Sequence, residues 1–333
     1  MRLLRPLTQT GEARPDGAVT LAGGWCWFDH VEVLRGGSGV IPVSACGAEE
    51  LAPFTAPREA ICGLDFARPH LMGILNVTPD SFSDGGLHAT ADTALAAGKR
   101  MAGEGVSILD VGGESTRPGA IPVPEPDEIT RVMPVIAALR AHMPEVPVSI
   151  DTRNALVAEA ALKAGAGLFN DVSALTHDPE SLAVAARTGA PVCLMHAQGD
   201  PRTMQDAPLY ADVVGTIYDY LERRVQECEA AGIPRSRLIV DPGIGFGKTL
   251  EHNLTLLKNL SVFHGLGCVI LLGASRKRFI GTLGGAPEAT DRAPGSIAVG
   301  LEALRQGVQI VRVHDTAQTA QALALWTALT PLR

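Results

Sequence analysis

Between Leu71 and Asp315, eight short apolar runs each stop on a residue that can hydrogen-bond, ionise or ligate. LMGILN ends on Asn76, VSILD on Asp110, VSID on Asp151, GLFND on Asn170 and Asp171, and PVCLMH on His196. LIVD ends on Asp241, VILLGAS on Ser275, and IVRVHD on Arg312, His314 and Asp315. Ala- and Leu-rich stretches with helical spacing separate the stops, so the chain reads as strand, polar tip and helix, repeated eight times. The spacing predicts helices over about 92–104, 126–141, 154–164, 179–188, 210–231, 250–260, 294–306 and 316–329. Crossovers of that length suit parallel strands in one sheet. Eight consecutive units fit a closed (β/α)8 TIM barrel, class α/β, better than an open doubly wound sheet, and such a barrel carries its active site on its strand ends.

The chain has 333 residues, ordinary for such a barrel with an added segment. Its 28 Lys and Arg against 36 Asp and Glu give a formal charge of -8, which argues against a nucleic acid partner. Any bound anion must therefore be met by a few placed cations. Six cysteines, at 26, 46, 62, 193, 228 and 268, form no CxxC pair, and are expected to be reduced thiols of a cytoplasmic protein. No run of about 18 apolar residues exists to span a bilayer. The N-terminus has no unbroken apolar stretch, so secretion is not expected, and an organelle transit peptide is the lesser alternative. Residues 1–66 show no helix-length period and form an extension of unassigned role, ahead of a barrel over 67–333. Within it, VTLAGGWCWFDHVEVL predicts a small β-hairpin around Gly23 and Gly24, packed on the barrel wall and closing its bottom.

Four segments carry candidate chemistry. NVTPDSFSDGG (76–86) is too polar to be buried and too rich in breakers to be helical, as suits a loop that folds over a ligand. DVGGESTRPGA (110–120) combines Gly112 and Gly113 with the hydroxyls of Ser115 and Thr116 and the fixed cation Arg117, a set suited to phosphate. DPGIGFGKT (241–249) fails the triphosphate-loop pattern because Pro242 stands where glycine is required. Its glycines could still bring backbone close to a flat ligand, with Lys248 either a site cation or a solvated surface lysine. Finally, Ser275, Arg276 and Lys277 with Arg312–Asp315 place two arginines, a lysine and a histidine on strands seven and eight, where barrels often hold phosphate.

Asp110, Asp151, Asn170 and Asp241 face those cations. Carboxylates so arrayed suit a heterocycle with amino and ring N–H donors, since one aspartate accepts two parallel hydrogen bonds from an amidine-like edge. A metal cage is the rival reading, weakened by the spread of these residues over four strands and by the lack of a histidine pair. His196 is expected to be a satisfied histidine at the end of strand five.

Taken in order, NVTPDSFSDGG, DVGGESTRPGA, SIDT with FNDV, CLMHAQGDPRTMQ, DPGIGFGK, GASRK and RVHD resemble the dihydropteroate synthase family over about residues 70–320. The resemblance implies a magnesium-assisted transferase of folate biosynthesis, cytoplasmic and homodimeric, and a target of sulfonamides. Such enzymes join 4-aminobenzoate to 6-hydroxymethyl-7,8-dihydropterin diphosphate through an SN1-like pterin cation. It also implies roles: Asp110, Asp151, Asn170, Met195, Asp241, Gly245, Lys277 and Arg312 for the pterin, and Asn76, Arg117, Arg312 and His314 for diphosphate, with Asn76 on the metal. Phe82, Thr116, Arg117, Pro118 and Ser275 fall to the 4-aminobenzoate pocket, and Asp151, Lys277, Arg312 and His314 to catalysis. Three alternatives remain open: a methyltetrahydrofolate-dependent methyltransferase, a non-catalytic pterin-binding paralogue, and a lysine Schiff-base aldolase using Lys248 or Lys277.

Overall fold

The computed structural model describes residues 2–77, 87–114, 123–199, 204 and 208–330. Eight parallel strands close into a barrel: β6 His70–Asn76, β7 Ile108–Gly112, β8 Val148–Asp151, β9 Leu168–Asp171, β10 Val192–Met195, β11 Leu238–Asp241, β12 Val269–Leu272 and β13 Ile310–Val313. Strand β13 pairs with β6, Arg312 opposite Met72, which removes any sheet edge. The strands are buried at nearly every position because helices cover one face and the barrel interior the other.

Ahead of the barrel lie β1 Leu3–Pro6, β2 Val19–Thr20, β3 Trp27–Phe28, β4 His30–Arg35, β5 Val40–Pro42 and the helix α1 Ala48–Thr55. Around it run α2 Leu87–Gly103, α3 Glu125–His142, α4 Ala155–Lys163, α5 Ser181–Thr188, α6 Val213–Ala230, α7 Leu250–Lys258, α8 Arg278–Gly284, α9 Ala293–Arg305 and α10 Thr316–Leu329. The eight expected barrel helices are present. Helix α8 is an addition, a short turn after the seventh polar tip. Helix α1 also escaped the sequence, because eight residues containing Pro53, with only Phe54 fully buried, show no usable period.

The expected hairpin is the pair β2 and β3, in register Val19–Phe28 and Thr20–Trp27. A second, three-stranded antiparallel sheet in the order β1, β4, β5 accompanies it. This extension packs on the barrel wall. Trp25 donates its indole N–H to Leu304 O at 2.8 Å and lies edge-on to Trp326 at 6.2 Å. Ser261 donates to Pro6 O at 2.9 Å, and Arg35 forms a two-pronged pair with Asp219 at 2.7 Å.

The bottom is closed by a different piece. Ile61 and Phe66, from the segment leading into β6, join Met72, Ile108, Leu168, Cys193, Ile239, Val269, Leu271 and Ile310 in one interior apolar cluster. The expectation that the hairpin closes the barrel is thereby corrected: a hairpin stacked on the outer helices cannot reach the axis, whereas the chain entering β6 must pass it. Trp25→Ala is expected to destabilise the protein by ~3–5 kcal/mol, the range for truncating a buried aromatic. A urea midpoint unchanged from wild type would show the extension to be dispensable.

Candidate active site

At the carboxyl end of the barrel, the register sets Gly112 beside Asp151 and Asp151 beside Asn170, bringing two polar tips to one level, with Asp110 two residues lower on its strand. Arg312 reaches across from the last strand. Its Nε donates to Asp110 Oδ2 and a terminal nitrogen to Asp151 Oδ2, both at 2.6 Å. Asn170 donates to Asp110 Oδ2 at 3.2 Å. Asp151 Oδ1, although buried, has no hydrogen-bond partner among the described residues. A buried acceptor left open is costly unless something supplies a donor. Burial pushes the Asp151 carboxyl up, with Arg312 opposing it and Asp110 adding to it. Burial weighs likewise against the Arg312 charge, but Asp110 and Asp151 outweigh it and raise its pKa.

Strands β10 and β11 place Met195 opposite Asp241, both buried. Asp241 Oδ1 accepts from the Gly243 N–H at 2.7 Å. Burial raises the Asp241 pKa against that bond and the charges of Lys277, Lys248 and Arg312. The glycines that follow bring backbone against backbone. A Cβ on Gly243, whose φ is +70°, would lie 1.8 Å from His196 O. One on Gly245 would meet Lys277 Cδ at 3.0 Å, and the Gly245 N–H donates to Asn253 Oδ1 at 2.7 Å. Gly243 thus seats one strand-end loop on another.

Lys248 is neither a surface lysine nor a cation at the mouth. Only 3% exposed, its ammonium donates to Gly243 O at 2.8 Å, Phe246 O at 2.9 Å, His196 O at 3.3 Å and His196 Nδ1 at 3.0 Å. Burial lowers its pKa to about 7, and burial with the Lys248 charge lowers that of His196 to about 3. His196, edge-on to Tyr220 at 4.8 Å, is the satisfied histidine its position suggested. Thr249 caps α7, accepting from the His252 N–H.

Lys277 holds its ammonium 3.8 Å from the centroid of the Phe246 ring, a cation–π contact that the sequence did not reveal. Ser275 Oγ accepts from the His314 N–H at 3.2 Å and pairs with His314 Nδ1 at 3.0 Å, joining the seventh and eighth tips. Arg276 leaves the anticipated cation cluster: its backbone takes a left-handed φ of 58°, and its guanidinium pairs with Asp315. Asn76, half-buried, ends β6 opposite Gly112. Phe82, Thr116, Arg117 and Pro118 lie outside the described residues. A supporting layer also escaped the sequence: Arg153 clasps Glu114 through two bonds of 3.1 Å, and Val123 N–H donates to Glu114 Oε1 at 3.2 Å. The nearest available signal was the acidic residue standing alone between Gly113 and Ser115.

Among the described residues, a groove of about 400 Å³ opens at the opposite end of the barrel, between Ile61, Arg140, Val148, Gly167 and Arg237. It gathers no converging set of acids and bases, and both arginines donate to backbone carbonyls there. The chemistry therefore belongs to the carboxyl end.

Residues 72–314 match the pterin binding enzyme family. The chain is 47% identical over 260 residues to dihydropteroate synthase of Escherichia coli (strain K12), covering 78% of this chain and 91% of that protein. A Yersinia pestis dihydropteroate synthase with a sulfonamide drug complex superposes with a TM-score of 0.77 at 45% identity, covering 82% of this chain and 98% of that one. The Xanthomonas albilineans enzyme in complex with 7,8-dihydropteroate gives a TM-score of 0.74 at 44% identity, with the same coverage of both chains. A family match over most of the barrel, with relatives this similar along nearly their whole length, makes this chain a member of the dihydropteroate synthase family of pterin-binding enzymes.

Proposed function

We propose that the chain is a dihydropteroate synthase: it condenses 6-hydroxymethyl-7,8-dihydropterin diphosphate with 4-aminobenzoate, giving 7,8-dihydropteroate and diphosphate. The observation that carries this reading is the ring of Asp110, Asp151, Asn170 and Asp241 around one barrel mouth, with Asp151 Oδ1 buried and open to a donor. An aminopyrimidine edge offers such donors. The relative from Xanthomonas albilineans in complex with 7,8-dihydropteroate supports the same class of ligand.

In the proposed reaction, the carbon–oxygen bond between the pterin methylene and diphosphate breaks, and its electron pair leaves with diphosphate. The methylene cation is delocalised into the electron-rich ring, and Asp110, Asp151 and Asp241 stabilise it electrostatically. Arg312 pairs with both Asp110 and Asp151 and opposes the burial that raises the Asp151 pKa. The arylamine lone pair then forms the new carbon–nitrogen bond, and the nitrogen sheds a proton. Met195 lines the ring, with Gly245 and Lys277 beside it. His314, Arg312 and Asn76 serve the diphosphate together with Arg117, and Ser275 shares the arylamine pocket with Phe82, Thr116, Arg117 and Pro118.

A magnesium ion fits this donor set only as a guest of the diphosphate. Among the described residues, no three His, Cys, Asp or Glu side chains form a metal cage. Asn76 offers one neutral carboxamide oxygen, the kind of single protein ligand accepted by an ion that keeps waters and substrate oxygens. When bound, the ion supplies neutralising charge for the leaving group. The protein is read as a cytoplasmic homodimer, as the sequence resemblance implies, and sedimentation checks the dimer. No described helix is long and apolar enough to cross a membrane.

Purified protein mixed with the pterin diphosphate, 4-aminobenzoate and magnesium is expected to release dihydropteroate and diphosphate in equal amounts. Sulfonamides are expected to compete with 4-aminobenzoate. Absence of product above background removes the activity; product formation indifferent to sulfonamides removes the arylamine pocket as assigned.

A further inference from the structure

We propose that Lys248 is a positioning residue for pterin binding: its buried ammonium ties the loop after β10 to the loop after β11 and so fixes Asp241, and through Phe246 also Lys277. The inference rests on the proposed synthase activity for its kinetic consequences, but the clamp itself stands on geometry alone.

An ammonium has three hydrogens, and Lys248 spends them on four acceptors within 3.3 Å, one of them shared. Two acceptors, His196 O and His196 Nδ1, belong to the loop after β10. The other two, Gly243 O and Phe246 O, belong to the loop after β11. All four acceptors are neutral, and Asp241 acts on the amine only as a nearby charge. Burying a cation whose hydrogen-bond acceptors are all neutral is expensive, and a methionine of similar length would fill the same space without that cost. The expense is explained by what the clamped atoms hold.

Gly243, whose carbonyl Lys248 grips, donates its own N–H to Asp241 Oδ1 at 2.7 Å. Phe246, gripped in the same way, carries the Lys277 ammonium 3.8 Å above its ring. His196 follows Met195 directly and donates its N–H to Asp241 O at 3.0 Å. Asn253 braces the loop from α7, accepting from Gly245 N–H at 2.7 Å and donating to Thr249 O at 2.7 Å. One amine therefore links the proposed pterin contacts of three successive strands, although it touches none of the reacting atoms. The 4-aminobenzoate residues lie on other loops, apart from Ser275, so the clamp acts on one substrate and not on the other.

Two measurements on Lys248→Met separate this from a general structural role. Amide hydrogen exchange at Gly243 and Gly245 should quicken at least tenfold while the barrel strands keep wild-type protection. The Kd for the pterin diphosphate, measured by calorimetry without arylamine, should weaken at least tenfold, with the KM for 4-aminobenzoate within twofold of wild type. Unchanged exchange overturns the clamp. Quickened exchange with an unchanged Kd, or Kd and arylamine KM rising by the same factor, overturns the positioning role. If Lys248→Met does not fold, His196→Ala removes one of the four acceptors and should quicken exchange and weaken the pterin at least threefold; no change in either overturns the proposal. Wild-type protein that makes no dihydropteroate counts against the synthase activity alone, because the exchange result decides the clamp without turnover.

Discussion

Arg312→Ala is expected to lower kcat/KM by on the order of 10²–10³, the scale for removing one preorganised charged contact, while the barrel still folds. The guanidinium holds Asp110 and Asp151 at 2.6 Å each, so its loss leaves two buried carboxyls facing one another across the mouth. Breaking a buried ion pair by removing one partner costs ~3–5 kcal/mol. Here the cost is limited because Asp151, whose pKa burial already raises, can take up a proton. In wild type, burial already raises Asp151 against the opposition of Arg312, so removing that opposition raises it further. A carboxyl with a raised folded pKa binds more protons folded than unfolded, so stability falls as pH rises from the ordinary carboxylate range toward that raised pKa. The variant should therefore lose more stability between pH ~5 and pH ~8 than wild type does, a comparison that urea midpoints can make. Arg312→Lys should recover little, since a single ammonium cannot present two parallel N–H groups to separate carboxylates. Wild-type turnover in Arg312→Ala would mean that the anion and pterin contacts lie elsewhere.

The same residue shows how far a sequence reaches. Arg312, Asp110, Asp151, Asn170 and Asp241 were all legible because each ends an apolar run, and in a closed parallel barrel that position alone places a side chain at the mouth. Their pairing was not legible, because Arg312 on β13 reaches Asp110 and Asp151 only once β13 pairs with β6 and the sheet closes. Arg276 was grouped with the anion-binding cations through its neighbours Ser275 and Lys277; its left-handed backbone turns it to Asp315 instead, and nothing in the SRK triplet encodes that φ. Lys248 was undecidable for a related reason. Three of its four acceptors are backbone carbonyls, which every residue has and no sequence pattern marks. The extension was read only in part, since strands of two to six residues and an eight-residue helix fall below the length at which periodicity can be told from chance.

Gly243→Ala is expected to weaken the pterin and lower turnover by on the order of 10², the penalty for displacing a binding group by about 1 Å. Two effects separate cleanly at this position. The left-handed φ of +70° alone costs an L-residue ~1–2 kcal/mol. Gly285, at φ +66° with open space where its Cβ would be, bears only that cost, so Gly285→Ala should lose stability and keep full turnover. At Gly243 the new methyl would also lie 1.8 Å from His196 O and 2.9 Å from its carbonyl carbon, so one backbone must move. Whichever moves, the 2.7 Å bond from Gly243 N–H to Asp241 Oδ1 and the Lys248 contacts to His196 O and Gly243 O are disturbed together. The pterin Kd should therefore rise in Gly243→Ala and stay unchanged in Gly285→Ala, while urea midpoints fall in both. Equal pterin binding by the two variants would show that the loop after β11 tolerates displacement, and that Asp241 is held by its strand alone.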